Sequence, residues 1–185
     1  MRKAVLLLGA CLLCGLQAGA QINCALSSNV IDIADYGTMN LEVSYALARH
    51  WTVSAGAKYN PFTYSDDAGN RLQRRQRLLA VGARWWPWHV WSGWWLSAKW
   101  QYQEYNTGGG SELLTSEGDR LGGGLGAGYA WMLSPRLNLD FGLGGWAGYG
   151  WTTTYACPRC GRITSSGKGF FLLPNDLLLS LTYIF

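Results

Sequence analysis

The sequence predicts an all-β protein, an eight-stranded antiparallel transmembrane barrel of the outer-membrane kind with a filled interior. Three observations point there. Apolar and polar residues alternate with a period of two along most of the chain, the connections between these segments are by turns short and long, and the last nine residues, LLLSLTYIF, end on an aromatic with one face wholly apolar.

The N-terminus reads as an export signal over residues 1–20, leaving 21–185 as the barrel. MRKAVLLLGACLLCGLQAGA has a basic start at Arg2 and Lys3, an apolar middle and an Ala18-Gly19-Ala20 cleavage pattern. Leu8-Gly9-Ala10-Cys11 also spells a lipoprotein signal, but the apolar run before Cys11 is short and the hydrophobic segment continues past it. Removing 1–20 lowers the formal charge from +4 to +2, with 13 basic and 11 acidic residues, too mild a balance to point to nucleic acid. Cys24, Cys157 and Cys160 then remain, in an oxidising compartment. No later stretch approaches the roughly 20 apolar residues that a spanning helix needs.

The strands follow in order. A short candidate covers about Ala25 to Ala34. In NLEVSYALA, Leu41, Val43, Tyr45 and Leu47 oppose Glu42, Ser44 and Ala46; in WTVSAGAKY, Trp51, Val53, Ala55, Ala57 and Tyr59 oppose Thr52, Ser54 and Lys58. Leu79, Val81, Ala83 and Trp85 are set against Arg84 and Trp86, and Trp94, Leu96, Ala98, Trp100 and Tyr102 against Ser97, Lys99, Gln101 and Gln103. Two long candidates, about Arg120–Trp131 and Leu137–Tyr155, flank a turn at MLSPR. The terminal strand sets Leu177, Leu179, Leu181, Tyr183 and Phe185 against Asp176, Leu178, Ser180, Thr182 and Ile184. The count of eight has the even parity of barrels whose two ends meet on one side. ARH, WPWHVWSG and MLSPR are compact turns, whereas about Asn60–Arg71, Asn106–Asp119 and Ala156–Gly169 read as long outer loops.

Aromatics mark the two expected membrane boundaries. Trp51, Trp85, Trp94, Trp131 and Phe185 fall near the turns, and Tyr59, Tyr64, Tyr102, Tyr105, Trp151 and Tyr155 near the loops. A lipocalin-like soluble barrel would put its apolar face inside and has little reason for two such belts. Inward glycines at 122, 124, 126 and 128 and at 142, 144, 148 and 150 leave room for Trp86, Trp95 and Trp146. GGGLGAG lacks the last glycine of the dinucleotide fingerprint and precedes no helix. Glu42, Asp140 and Asp176 balance Lys58, Arg84 and Lys99 in an interior charge network, so a plugged barrel without a pore is expected.

YACPRCG is the sharpest local signal, in the last outer loop. Cys157 and Cys160 suit a disulfide, a redox pair or half a zinc site; with His50 and His89 in turns at the other end, the disulfide leads and no metal or other cofactor is expected. In RLQRRQR, Arg75 and Arg77 share the parity of Leu79 and would emerge above the outer belt, against lipopolysaccharide phosphates. The alternative is a solvated loop edge. No catalytic residues are expected, because a Ser/His/Asp arrangement would need one of those two turn histidines.

NLEVSYALARHWTVSAGAKYNP, YNTGG at Tyr105–Gly109, YACPRCG and the ending SLTYIF together resemble an uncharacterised outer-membrane β-barrel family of Bacteroides-type bacteria, often encoded near fimbrial genes. The chain departs from that family's pattern at Gly82, where the pattern has glutamate, and at Asp176, where it has lysine. The resemblance implies place and fold, and a link to surface fimbriae. Tyr183 and Phe185 resemble the end signal read by barrel-assembly machinery. The leading expectation is an outer-membrane protein with a structural or surface-interaction role, its partners being outer-membrane lipid, lipopolysaccharide and a surface or fimbrial protein. A small outer-membrane lipid-modifying enzyme and a soluble carrier are the alternatives.

Overall fold

A computed structural model describes residues 24–65, 71–109, 112–156 and 162–185. The leader over 1–20 and the pair Cys157 and Cys160 lie outside these residues. In chain order the elements are β1 (Cys24–Asn29), α1 (Val30–Ala34), β2 (Met39–Ala48), β3 (Trp51–Asn60), β4 (Thr63–Ser65), β5 (Arg71–Trp85), β6 (Gly93–Gly109), β7 (Glu112–Ser134), β8 (Leu137–Tyr155) and β9 (Ile163–Ile184). Eight strands pair antiparallel in the ring β1-β2-β3-β5-β6-β7-β8-β9, and β9 returns to β1; β4 pairs only with β5. The barrel is closed, as the alternation predicts.

Parity places the side chains. Leu41, Tyr45, Leu79, Val81, Leu96, Leu125, Leu143 and Leu181 stand exposed on the outer face, whereas Ser44, Thr52, Arg84, Ser97, Asp140, Ser180 and Thr182 are buried inside. Water-soluble domains do the reverse. The rings of Trp51, Trp85, Trp94, Trp131 and Phe185 are exposed near the turn end, and Tyr59, Tyr102 and Trp151 further toward the loop end. Tyr105 differs from its expected place, because the parity of β6 turns it inward, where it is buried.

The structure corrects the predicted strand limits in two places. Residues 30–34 form a helical turn rather than the continuation of the first strand. Asn29 caps it, its side chain accepting from the Ile31 N–H, so the chain leaves the ladder there. Among the described residues, strand extends into the predicted loops at 106–119 and 156–169, since β6 reaches Gly109, β7 starts at Glu112 and β9 starts at Ile163. Ladder pairing there continues through Ser, Thr and Gly, which carry no apolar alternation to read.

One irregularity decides which way β9 faces. Gly144 pairs with Asp176 and Trp146 with Leu173, so Pro174 and Asn175 together stand opposite Gly145. This bulge inverts the inward parity, and proline suits it because no ladder N–H is lost. Toward the turn end Asp176, Leu178, Ser180 and Thr182 face in; toward the loop end Leu173 and Phe171 do, with Leu172 and Phe170 outside. Among the described residues no helix is long and apolar enough to cross a membrane.

Candidate functional site

The turn end of the interior is stoppered by indole rings. Trp86 and Trp95 are almost fully buried with Trp91, Ala25, Ala130 and Ile184. Trp86 Nε1 donates to Thr52 Oγ1 at 3.1 Å, and Trp91, held at φ 67°, offers its carbonyl to the Asn138 amide. Trp95 lies against the two inward glycine columns: a Cβ on Gly142 would sit 2.7 Å from its ring, and one on Gly128 would overlap it. The reading that glycines make room for inward rings holds here.

Above this stopper sits the ion cluster. Arg84, 3% exposed, pairs with Glu42 through Nη2 and lies 3.5 Å from Asp140 through Nη1. Lys99 reaches Glu42 at 3.4 Å, and Thr182 donates to Asp140 at 2.8 Å. Lys58 pairs at 2.8 Å with Asp32 of α1, a residue that the strand reading of 25–34 hid. Four of the expected network residues, Glu42, Arg84, Lys99 and Asp140, are therefore joined, and a fifth, Lys58, is paired with Asp32 instead. The sixth, Asp176, has no ion-pair partner among the described residues; Asp32 takes the carboxylate role expected of it. Gly82 leaves room for β6 and Lys99: a Cβ there would stand 2.6 Å from the Ala98 carbonyl oxygen and 2.9 Å from Lys99 Cγ.

Over the cluster the interior opens into a polar cup of about 340 Å³, lined by Lys58, Gln101, Gln103, Tyr105, Arg120 and Asp176 among others. The Arg120 guanidinium lies 4.0 Å from the centre of the Tyr105 ring and 5.8 Å from that of Phe171. Inward parity with Gly122 and Gly124 marks Arg120 in the sequence as a lumen residue, the signal that sequence reasoning passed over. Arg74 and Asp35, 3.7 Å apart, close one side of the cup.

A larger concavity of about 890 Å³ lies at the loop-end rim, lined by Arg75, Arg77, Tyr59, Glu104, Trp151 and Lys168 with others. Arg75 and Arg77 are exposed on the same face of β5, and Arg75 also borders the cup. Arg75 Nε donates to Thr63 Oγ1 at 3.2 Å, and Arg77 stands 3.8 Å from Glu104 and 5.8 Å from the Tyr59 ring. Nearby, the Tyr155 hydroxyl donates to Glu117, which holds the phenol above its ordinary range, with smaller contributions from burial and from the Glu117 charge.

The remaining candidates are dispersed. His50 and His89 sit at the turn end, with His50 Nδ1 2.9 Å from the Trp86 carbonyl and His89 Nδ1 accepting from Arg49 at 3.2 Å. Among the described residues no three of His, Cys, Asp and Glu are grouped to hold a metal. Tyr183 and Phe185 lie on the outer face with ring centres 5.1 Å apart.

A ring of eight strands, ionic within and greasy without, defines the class of protein: a closed antiparallel β-barrel of inverted polarity. Residues 5–185 match the family described as protein of unknown function DUF3575, and the chain belongs to it. No curated protein and no solved structure matches the chain.

Proposed function

We propose that this protein is an exported outer-membrane β-barrel, non-enzymatic and non-conducting, that acts at the cell surface through its loop-end rim. The observation that carries the reading is the inversion of polarity. Leu125 and Leu143 are 74% and 68% exposed at mid-height while Asp140 and Arg84 are 2% and 3% exposed. In water that outer face would be an apolar patch far larger than soluble monomers carry, whereas acyl chains solvate it at no cost. The aromatic stopper and the ion cluster that occupy the lower half of the interior support the non-conducting reading.

Export through residues 1–20 and assembly through Tyr183 and Phe185 belong to this proposal. So does lipopolysaccharide held by Arg75 and Arg77, whose guanidinium groups suit phosphate; Arg77 is level with Tyr59 and Arg75 lies two residues further toward the loop end. A partnership with fimbrial components rests on the family resemblance alone. Membrane residence is tested by alkaline extraction of cell envelopes, together with a boiled-against-unboiled shift in gel mobility. Retention and a shift are expected; release into the soluble fraction would refute the proposal. Arg75→Glu with Arg77→Glu should weaken retention in lipopolysaccharide-containing vesicles and leave it unchanged in vesicles of phospholipid alone. Equal retention of variant and parent in both would remove the lipopolysaccharide contact.

A further inference from the structure

We infer that the loop-end cup is a binding site for the head group of a zwitterionic amphiphile, which enters sideways through the wall between α1 and β9. The inference rests on the outer face lying in lipid. It deepens that reading by naming a ligand.

The wall supplies the doorway. Strand β9 is laddered to β8 from Tyr183 up to Ile163, but to β1 only from Ile184 to Ser180. Beyond that short seam its other edge meets α1, and the Asn29 side chain takes over the ladder: Oδ1 accepts from the Leu179 N–H and Nδ2 donates to the Leu177 carbonyl, both at 3.0 Å. Above Leu177 that edge has no strand partner among the described residues. The ladders β5–β6, β6–β7, β7–β8 and β8–β9 run on around the cup, whereas β1 pairs with β2 only up to Ser27 and with β9 only up to Asn29, so the wall is interrupted where α1 stands, and its β9 side is the edge with no strand partner above Leu177.

Both jambs contribute to the cup. Asp32 and Asp35 line it from the α1 side, Leu173 and Asp176 from β9. Their outward neighbours are apolar: Val30 and Ile33 flank one side, Phe170 and Leu172 the other, all four exposed. The bulge at 174–175 is what turns Phe170 and Leu172 outward at this height. A molecule with its polar end in the cup and its chain across this threshold would contact matching surfaces at both ends.

Charge selects the polar end. Lys58 is matched by Asp32 and Arg74 by Asp35. Of the other charged residues lining the cavity, Arg75, Arg120 and Asp176 have no ion-pair partner among the described residues; Arg75 is turned to the Thr63 hydroxyl, which leaves Arg120 and Asp176 to face a ligand. Stacking on Tyr105 fixes the Arg120 guanidinium, and a fixed guanidinium suits a phosphate or carboxylate. Asp176 suits an ammonium. One ligand bearing both groups satisfies both residues, whereas an anion alone leaves Asp176 repelling it. A volume of about 340 Å³ lies at the lower end of ligand pockets, enough for a head group while the acyl chains stay outside.

The test uses the full chain folded in detergent micelles, with phosphorus NMR titration of three probes. These are a short-chain phosphatidylethanolamine, the phosphatidylglycerol of equal chains, and free O-phosphoethanolamine. Phosphatidylethanolamine should bind tighter than phosphatidylglycerol by about tenfold or more, the worth of one charge-assisted contact. Asp176→Asn should erase that preference, and Arg120→Gln should weaken both lipids. Should Arg120→Gln fail to give the heat-modifiable folded form, Arg120→Lys, which keeps the charge, should weaken binding less and fold. Equal affinity for the two lipids in the parent protein, or a preference that survives Asp176→Asn, would overturn the inference. Free O-phosphoethanolamine binding as tightly as the lipid would overturn the sideways route. Binding in micelles does not need membrane residence, so failure here is distinguishable from failure of the extraction assay.

Discussion

Arg84→Met is the most informative single change in the ion cluster. Arg84 is the cation between Glu42 and Asp140, and its Nη1 is 3.5 Å from the Asp140 carboxylate. At an effective dielectric constant of about 20, that separation corresponds to about 5 kcal/mol of attraction. Removing Arg84 leaves Glu42 with Lys99 at 3.4 Å, but leaves Asp140 with only the Thr182 hydroxyl. Breaking such a buried pair from one side costs about 3–5 kcal/mol, a loss of between about a hundredfold and a few thousandfold in the folding equilibrium. Arg84→Met with Asp140→Leu removes both charges and keeps the lumen balanced through Glu42 with Lys99 and Asp32 with Lys58. Such paired apolar replacements are often near neutral, so the double variant should recover most of the loss. Urea titration of the barrel refolded into lipid vesicles, followed by tryptophan fluorescence and gel mobility, measures both. A single variant costing less than about 1 kcal/mol, or a double variant as unstable as the two single losses added, would refute the assigned pairing.

On the outer face, the proposed lipid contact predicts that Leu143→Arg costs about 2–4 kcal/mol for folding into vesicles; a cost within about 0.5 kcal/mol, the usual surface value, would contradict that contact. Asn29→Ala removes the cap of α1 and the two bonds to β9, so the Leu179 amide should exchange its proton faster, with stability falling by about 1–3 kcal/mol. Unchanged exchange at Leu179 would show that the seam does not depend on that side chain. At the rim, the Tyr155 phenol has its folded value raised, so the bond to Glu117 is fully present below the unfolded tyrosine value of about 10 and is lost as pH rises through the raised value. Glu117→Gln should bring the Tyr155 titration, followed by carbon NMR of labelled tyrosine, back down toward about 10.

The barrel was legible where one face is uniformly apolar. Leu41 to Leu47, Leu79 to Trp85 and Leu177 to Phe185 each carry a period of two that no helix could use, and their parity fixes Glu42, Arg84 and Ser180 inside. Legibility failed where that contrast ends. VIDIA continues the apolar look of β1, and only the side-chain bonds of Asn29 decide that the chain turns into a helix. Asp32 thereby entered the lumen unseen, while Asp176, correctly read as inward, was left without its expected ion pair. Toward the loop end, TSSGKG and TGG carry no apolar face, so the alternation test is silent about strands that are nonetheless laddered. The loop-end cup escaped for a related reason: it is assembled from β3, β5, β6, β7, β8, β9 and the α1 segment, and no contiguous segment carries its pattern.

The Pro174–Asn175 pair makes the terminal strand a hinge between two alphabets. Because side chains alternate strictly, deleting either residue would rotate everything beyond it by half a step: Phe170 and Leu172 would crowd the lumen while Phe171 lost its stacking against Trp146. The last ten residues could therefore keep their alternation while the opposite half of the same strand lost its own, which ties the length of this strand to its content at a single place.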